Sequence, residues 1–307
     1  MNRQIGITGL GRMGTGIAAR LLDSGFPVSG FNRTASAASG LIEHGLRFCA
    51  DLNELAEVQE QPRIIWVMLP SGKVTNDTIG TLSDLLSNGD CIIDGGNSYY
   101  RDSLRIADML AAKHIHFIDM GVSGGIWGHR EGFGLMFGAS PEAEEMIRPF
   151  VKALAPAPDK GWVHAGPPGA GHYSKMVHNA IEYGLMQAYA EGFDLLNSKK
   201  EFKIDVSAVS QAWRDGTVIR SWLLDLAAAE FEKDRKLEEV LPRVPDSGEA
   251  RWAVKESVDL SVSMPAISAS LFERFSSRDS LHYQHRILAV LRNAFGGHSV
   301  EREKKDD

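Results

Sequence analysis

Lys175, His178, Asn179 and Glu182 stand at i, i+3, i+4 and i+7 in the stretch from Gly169 to Tyr183. An α-helix returns to one side at those intervals, so the four line a single stripe, with Tyr183 at its edge. A solvated helix face shows the same period, usually as paired glutamates and lysines. Here the stripe mixes an amine, an imidazole, an amide and a carboxylate. Met176, Val177, Ala180 and Ile181 point elsewhere, and that apolar remainder, following a glycine-rich turn, predicts a buried helix. Burial strips an ammonium of hydration and lowers its pKa toward the range of a general base, so Lys175 is the candidate base.

A second group lies at the start of the chain. Gly9-Leu10-Gly11-Arg12-Met13-Gly14 is a GxGxxG between a strand-like run and a helical pattern, the context that lifts it above a chance glycine cluster. Gly9 permits a tight turn, Gly11 lets backbone amides approach a pyrophosphate, and Gly14 allows close helix packing. The helix N-terminus adds the positive end of its dipole. The next strand-like run ends at Asn32-Arg33-Thr34, where an NAD enzyme usually places an acid on the ribose hydroxyls. Arg33 can face a 2'-phosphate and stack on adenine, while Asn32 and Thr34 donate hydrogen bonds without repelling it, so NADP is expected ahead of NAD.

Such groups need a scaffold, and the chain alternates strand-like and helical patterns from Ile5 to about Val163. That alternation predicts an α/β fold with a doubly wound, parallel Rossmann-type sheet. The run FGLMFG at 133–138 reads as an extra strand and Ser140-Pro141-Glu142 as a helix start. Beyond Gly166-Pro167-Pro168-Gly169 only helical patterns follow, with turns at Asn197 to Lys203, Leu241 to Gly248 and Met264-Pro265. The expected division is a dinucleotide-binding domain at 1–168 and a smaller all-helical substrate and oligomerisation domain at 169–307. The charged segment from Val300 to Asp307 is expected to fray.

At 307 residues and 43% hydrophobic content, two cores are affordable. A net charge of -7 gives no general attraction to nucleic acid or an anionic membrane, so any phosphate site must be local. Cys49 and Cys91 form no metal-ligand or CxxC spacing, which suits reduced thiols, and the scattered histidines imply no metal. The apolar run from Ile64 to Leu69 is far below the roughly 20 residues of a membrane helix. With no leader pattern at the start, a cytoplasmic protein is expected.

Three further motifs complete the reading: Asp94-Gly95-Gly96-Asn97-Ser98, Asp119-Met-Gly-Val-Ser123-Gly124-Gly125, and Arg292-Asn-Ala-Phe-Gly-Gly-His298. Together with GxGxxG and the KMVHNxIEYG run from Lys175 to Gly184, they make the chain resemble the 6-phosphogluconate dehydrogenases of the β-hydroxyacid dehydrogenase superfamily. It looks like the short form of that family. Met68-Leu69-Pro70-Ser71-Gly72 stands where long forms carry MVKAG, and Arg251-Trp252-Ala253 where they carry Lys-Trp-Thr.

The resemblance implies oxidation and decarboxylation of 6-phosphogluconate to ribulose 5-phosphate, with Lys175 as base and Glu182 as the acid that protonates carbon 1 of the enediol left after carbon dioxide departs. It assigns Asn97, Ser123, Gly124, Gly125, His178 and Asn179 to the substrate's carboxylate and hydroxyls, and Tyr183, Arg251 and Arg274 to its phosphate. Arg292 and His298 would close the pocket, from a neighbouring subunit in a homo-oligomer. Cofactor contacts fall to Gly9 through Gly14, Asn32, Arg33, Thr34, Met68, Leu69, Pro70 and Asn97. The alternatives are a non-decarboxylating 3-hydroxyisobutyrate or tartronate semialdehyde type of dehydrogenase, an imine reductase, and a non-catalytic NADP-binding protein. Glu182 and the Arg292 to His298 tail weigh against the first, and retention of Lys175 and Glu182 against the other two.

Overall fold

Short runs of apolar, often β-branched residues form the strands: β1 Ile5–Thr8, β2 Val28–Phe31, β3 Arg47–Phe48, β4 Ile64–Val67, β5 Cys91–Asp94, β6 His116–Ser123, β7 Gly134–Gly138 and β8 Trp162–Gly166. In this computed structural model, which describes residues 4–296 and 299–301, they make one sheet ordered β3-β2-β1-β4-β5-β6-β7-β8. Only the β6–β7 pair is antiparallel. FGLMFG therefore is a strand, but it runs against the parallel set. β3 was not anticipated, because two residues carry no legible alternation.

Helices α1 Arg12–Asp23, α2 Ser39–Glu43, α3 Leu52–Glu57, α4 Lys73–Leu85, α5 Tyr100–Ala111, α6 Gly128–Glu131 and α7 Pro141–Leu154 connect the strands. Side chains alternate across a strand, so Ile64 and Trp66 enter one core with Ile5, Ile7 and Phe150. Ile65 and Val67 enter the other with Leu55, Ile79 and Leu110. Both faces of β1, β4 and β5 are thus buried, which is why these strands read as unbroken apolar runs. Strand order reverses between β1 and β4, and the crevice at the carboxyl ends of such strands is where α/β sheets bind ligands. The predicted start of α7 holds, since Ser140 Oγ accepts from the Ala143 amide at 3.3 Å and Pro141 follows.

The chain divides into two compact units, Met1–Ala180 and Ile181–Asp307. The division falls within α8, Ala170–Ser198. The second unit contains no strand among its described residues; after α8 come α9 Val206–Arg214, α10 Trp222–Lys233, α11 Glu249–Asp259, α12 Pro265–Ser276 and α13 Tyr283–Gly296. Asp205 and Ser221 cap α9 and α10 by accepting from the Ala208 and Leu224 amides. Phe193 stacks on Trp213 at 5.7 Å and meets Phe231 edge-on at 5.0 Å, forming an aromatic knot.

One expectation needs correction. α8 is not covered on all its apolar faces: Met176 and Ala180 are buried, yet Val177 is 37% and Ile181 50% exposed. No helix among the described residues is long and apolar enough to cross a membrane.

Candidate active site

The turn after β1 is built by contacts that exclude side chains. Gly9 takes φ +94, and a Cβ there would collide with the Met68 carbonyl; a Cβ on Gly14 would collide with the Gly9 carbonyl. Gly11 faces open space, and the first turn of α1 carries no acidic side chain and no side-chain cap. A pyrophosphate fits there, because the helix amides and dipole are presented without competition. Arg12 is exposed and Met13 is half-buried against the core, whereas Leu10 is 1% exposed, its amide donating to Asn32 Oδ1 and its carbonyl accepting from Thr15 Oγ1.

Asn32 does something the sequence did not disclose. Its Oδ1 accepts from the Leu10 amide at 3.0 Å and its Nδ2 donates to the Thr34 carbonyl at 3.0 Å. The amide side chain thus braces the glycine turn, leaving the exposed Arg33 and Thr34 as the outward groups at the end of β2. Met68 and Leu69 are half-buried beyond β4, Pro70 is exposed, and the Met68 amide donates to the Thr8 carbonyl at 2.8 Å. Asn97 is exposed beyond β5. The loop before it lies tight on β4, since a Cβ on Gly95 would strike the Trp66 indole nitrogen and one on Gly96 would lie 2.7 Å from the Leu69 carbonyl.

Lys175 owes its position to the β6–α8 contact. Asp119, on β6 and 0% exposed, accepts from the Gly169 and His172 amides at 2.6 Å each, so a buried carboxylate caps α8. A Cβ on Gly171 would collide with the Asp119 carbonyl, and one on Gly121 with Lys175 Cβ. Glycine at 121 and 171 therefore brings α8 against the strand, and Lys175 is left only 7% exposed. Its Nζ lies 3.5 Å from His178 Nδ1, which is 3.0 Å from Asn179 Oδ1. β6 ends at Ser123, followed by Gly124 and Gly125 at φ +126 and +52, a backbone that favours glycine.

Beneath these groups is a buried polar cluster that the sequence reading passed over. Burial pushes the Asp119 carboxyl up to about 6, against the opposing pull of His172 and the capping amides. Burial also raises Asp94, at the end of β5, and His172 again opposes the rise. His172 Nδ1 lies 2.7 Å from Ser103 Oγ on α5. Asp94 and Asp119 were visible as letters of two motifs, but nothing in either motif revealed that both carboxyls are fully buried.

In the second unit, Glu182 is half-buried on α8 and Tyr183 is 5% exposed. Tyr183 Oη accepts from the Ser247 amide at 3.1 Å, and the Arg274 guanidinium lies 3.4 Å from its ring centroid. Arg274 also donates to the Pro245 carbonyl at 3.0 Å. Arg251 grips Asp246 through two bonds of 2.7 and 3.0 Å, and Arg278 holds the same carboxylate at 2.7 Å. The Arg251 side-chain bonds, chief among the causes, hold Asp246 down at about 2. Arg278 was not singled out from the sequence. Arg292 is exposed on α13, and His298 and residues 302–307 lie outside the described residues. Cys49 and Cys91 are free and buried, with the Cys49 thiol pushed up by burial to about 11.

Comparison with known proteins shows the family. A family model described as the NAD binding domain of 6-phosphogluconate dehydrogenase matches residues 4–164, and one for the C-terminal domain of the same enzyme matches residues 171–307. The chain is 39% identical over 305 residues, 99% of its own length and 100% of the relative's, to an NAD(+)-dependent, decarboxylating 6-phosphogluconate dehydrogenase of Haloferax volcanii. It is 35% identical over 288 residues to the NADP(+)-dependent, decarboxylating enzyme of Bacillus subtilis, covering 90% of this chain and 61% of that one. Among solved structures, the 6-phosphogluconate dehydrogenase of Plasmodium falciparum aligns with a TM-score of 0.83 at 26% identity, over 99% of this chain and 67% of that one.

Proposed function

The chain belongs to the 6-phosphogluconate dehydrogenase family, and from that premise we propose that it converts 6-phosphogluconate to ribulose 5-phosphate and carbon dioxide, with NADP preferred over NAD. The observation that carries the reading is the buried Lys175, held against β6 at the head of the helix that also bears His178, Asn179 and Glu182. A bound nicotinamide dinucleotide supplies the hydride acceptor.

Lys175 takes the proton of the substrate's 3-hydroxyl as hydride leaves carbon 3. The β-keto acid so formed loses carbon dioxide because its new carbonyl receives the electron pair, and the protonated Lys175 donates to that oxygen. Glu182 then protonates carbon 1 of the enediol. It stands seven residues beyond Lys175, about two helical turns. Asn97, Ser123, Gly124, Gly125, His178 and Asn179 hold the carboxylate and hydroxyls; Tyr183, Arg251 and Arg274 hold the phosphate, and Arg292 and His298 close the pocket.

Residues 1–168 act as the dinucleotide domain and 169–307 as the substrate and oligomerisation domain of a cytoplasmic homo-oligomer. The uncovered apolar side chains of α13, Leu288, Val290 and Leu291, each more than half exposed, support a subunit contact there.

The test follows reduced dinucleotide from 6-phosphogluconate with NADP and NAD in parallel, trapping carbon dioxide in the same vessel. Stoichiometric carbon dioxide is expected. Turnover of a small 3-hydroxy acid without carbon dioxide would replace this reading with a non-decarboxylating dehydrogenase. Tight NADPH binding with no turnover of any sugar acid would reduce the protein to a binding module.

A further inference from the structure

We propose that, given the assignment of Arg251 to substrate phosphate, Arg278 is the positioning residue that lets it act: Arg278 holds Asp246, so that Arg251 can leave that carboxylate and close on the phosphate. Asp246 is the enclosed member of the cluster, its side chain 4% exposed against 25% for Arg278 and 47% for Arg251. Arg251 spans both carboxylate oxygens, Nε to Oδ1 at 2.7 Å and Nη2 to Oδ2 at 3.0 Å, while Arg278 Nη2 meets Oδ2 at 2.7 Å. The two guanidiniums are anchored unequally. Arg278 Nε also donates to the Arg274 carbonyl at 3.1 Å, so its plane is fixed at two points. Arg251 rests on the Phe275 ring, at 4.2 Å against 5.7 Å for Arg278. An aromatic face attracts a cation without directing its N–H groups, so Arg251 can turn on that ring while Arg278 stays in place.

Burial gives the second arginine its importance. The Arg251 bonds chiefly, against burial and with help from Arg278, hold Asp246 at about 2, so it is an anion at neutral pH and competes with a phosphate for Arg251. Were Arg251 its sole partner, departure of that guanidinium would strand an enclosed charge, the costly way to break such a pair. With Arg278 in place the carboxylate keeps a charge-assisted bond throughout, and Arg251 exchanges one anion for another. A mere junction between the end of α12 and the loop before α11 does not call for a second cation on Asp246. Ser277 Oγ already makes that junction, accepting from the Val244 amide at 3.0 Å. Arg278 touches no substrate in this assignment and acts through Asp246 and Arg251.

Calorimetric titration without dinucleotide compares 6-phosphogluconate with gluconate, so that binding is read without turnover. Arg278→Gln is expected to weaken 6-phosphogluconate about tenfold, the scale of a lost charge-assisted bond, and gluconate by less than about twofold. Asp246→Asn added to Arg278→Gln removes the charge that then keeps Arg251, and is expected to return 6-phosphogluconate to within about threefold of the wild-type affinity. A purely structural junction would be loosened further by the second change. A double variant no tighter than Arg278→Gln, or an Arg278→Gln that weakens both ligands alike, overturns the proposal. Should Arg278→Gln not fold, the double variant is compared with Asp246→Asn, since neither leaves an enclosed carboxylate to hold. Equal affinity for 6-phosphogluconate is expected, and a double variant about tenfold weaker would count against Arg278 acting through Asp246. The phosphate assignment has its own outcome. If the wild-type protein binds 6-phosphogluconate no better than gluconate, the assignment of this cluster falls and Arg278 falls with it. A preference for 6-phosphogluconate that is lost in Arg274→Ala but intact in Arg278→Gln keeps the assignment and removes the proposal alone.

Discussion

Asn32 and Arg33 are neighbours at the end of β2, yet they do different work. Asn32 spends both ends of its amide on the backbone of Leu10 and Thr34, whereas Arg33 is exposed. Arg33→Ala is therefore expected to weaken NADP by about 10- to 100-fold, the scale of lost charge-assisted bonds, and NAD by less than about twofold. Asn32→Ala should weaken both dinucleotides alike, because it loosens the turn that holds their common pyrophosphate. Fluorescence titration with each dinucleotide separates the two effects, and equal losses for Arg33→Ala would remove the 2'-phosphate assignment. The arginines assigned to substrate phosphate divide similarly. Asp246 neutralises part of the charge of Arg251, while Arg274 meets the uncharged Tyr183 ring, a carbonyl and the thioether of Met186. Arg274→Ala should accordingly raise KM for 6-phosphogluconate more than Arg251→Ala, with gluconate little affected by either. The Asp246 clamp also has a pH signature. Its folded pKa of about 2 lies below the ordinary 3.8, so its stabilisation is complete above pH 3.8 and is lost as pH falls toward 2. Urea melts of Asp246→Asn should show a deficit at neutral pH that shrinks in that acid window.

At the scale of elements, the decisive contact is α8 on β6. Gly121→Ala places a methyl where Lys175 Cβ already is, so the helix must move off the strand. A destabilisation of about 1–3 kcal/mol is expected, the usual cost of overpacking, with a fall in kcat exceeding any change in dinucleotide affinity. Denaturant melts and steady-state kinetics on the same sample check both, and full activity at wild-type stability would show that the approach of α8 does not set the base. This contact also marks where the sequence stopped being readable. The strands of the sheet other than β3 and β8, the start of α7 and the stripe on α8 follow from periodicity and capping residues, which are local. The Asp119 cap spans 50 residues to Gly169 and 53 to His172. It exists only because β6 sits beside β5 and β7 in the sheet. Likewise, the bracing by Asn32 needs β1 and β2 in register, with Thr8 opposite Phe31. Residue types announced the reactive lysine; the groups that hold it became visible only once distant elements were adjacent.

For the whole molecule, the question is what covers the apolar surface that one chain leaves open. Tyr283, Leu288, Val290 and Leu291 on α13 are all more than half exposed, and Ile287 is 41% exposed. A helix with apolar groups around so much of its circumference is not stabilised by water-facing polarity, and isolated helices of about its 14 residues are marginal in water. The exposed Ile181 and Leu185 lie four residues apart on α8 and present a second apolar strip. An apolar cavity of about 550 Å³, lined by Met186, Tyr189, Phe193, Leu223 and Phe231 among others, opens in the same helical unit. Surfaces of this kind on one chain match self-association, in which identical patches bury one another. The expected species in light scattering is at least twice the chain mass at micromolar concentration. Leu288→Asp and Leu291→Asp, each placing a charge on α13, should shift it to the single chain. Because Arg292 and His298 are assigned to a neighbouring subunit's site, dissociation should raise KM for 6-phosphogluconate while dinucleotide binding persists. A dissociated variant with undiminished affinity for substrate would confine the site to one chain and leave α13 a purely structural contact.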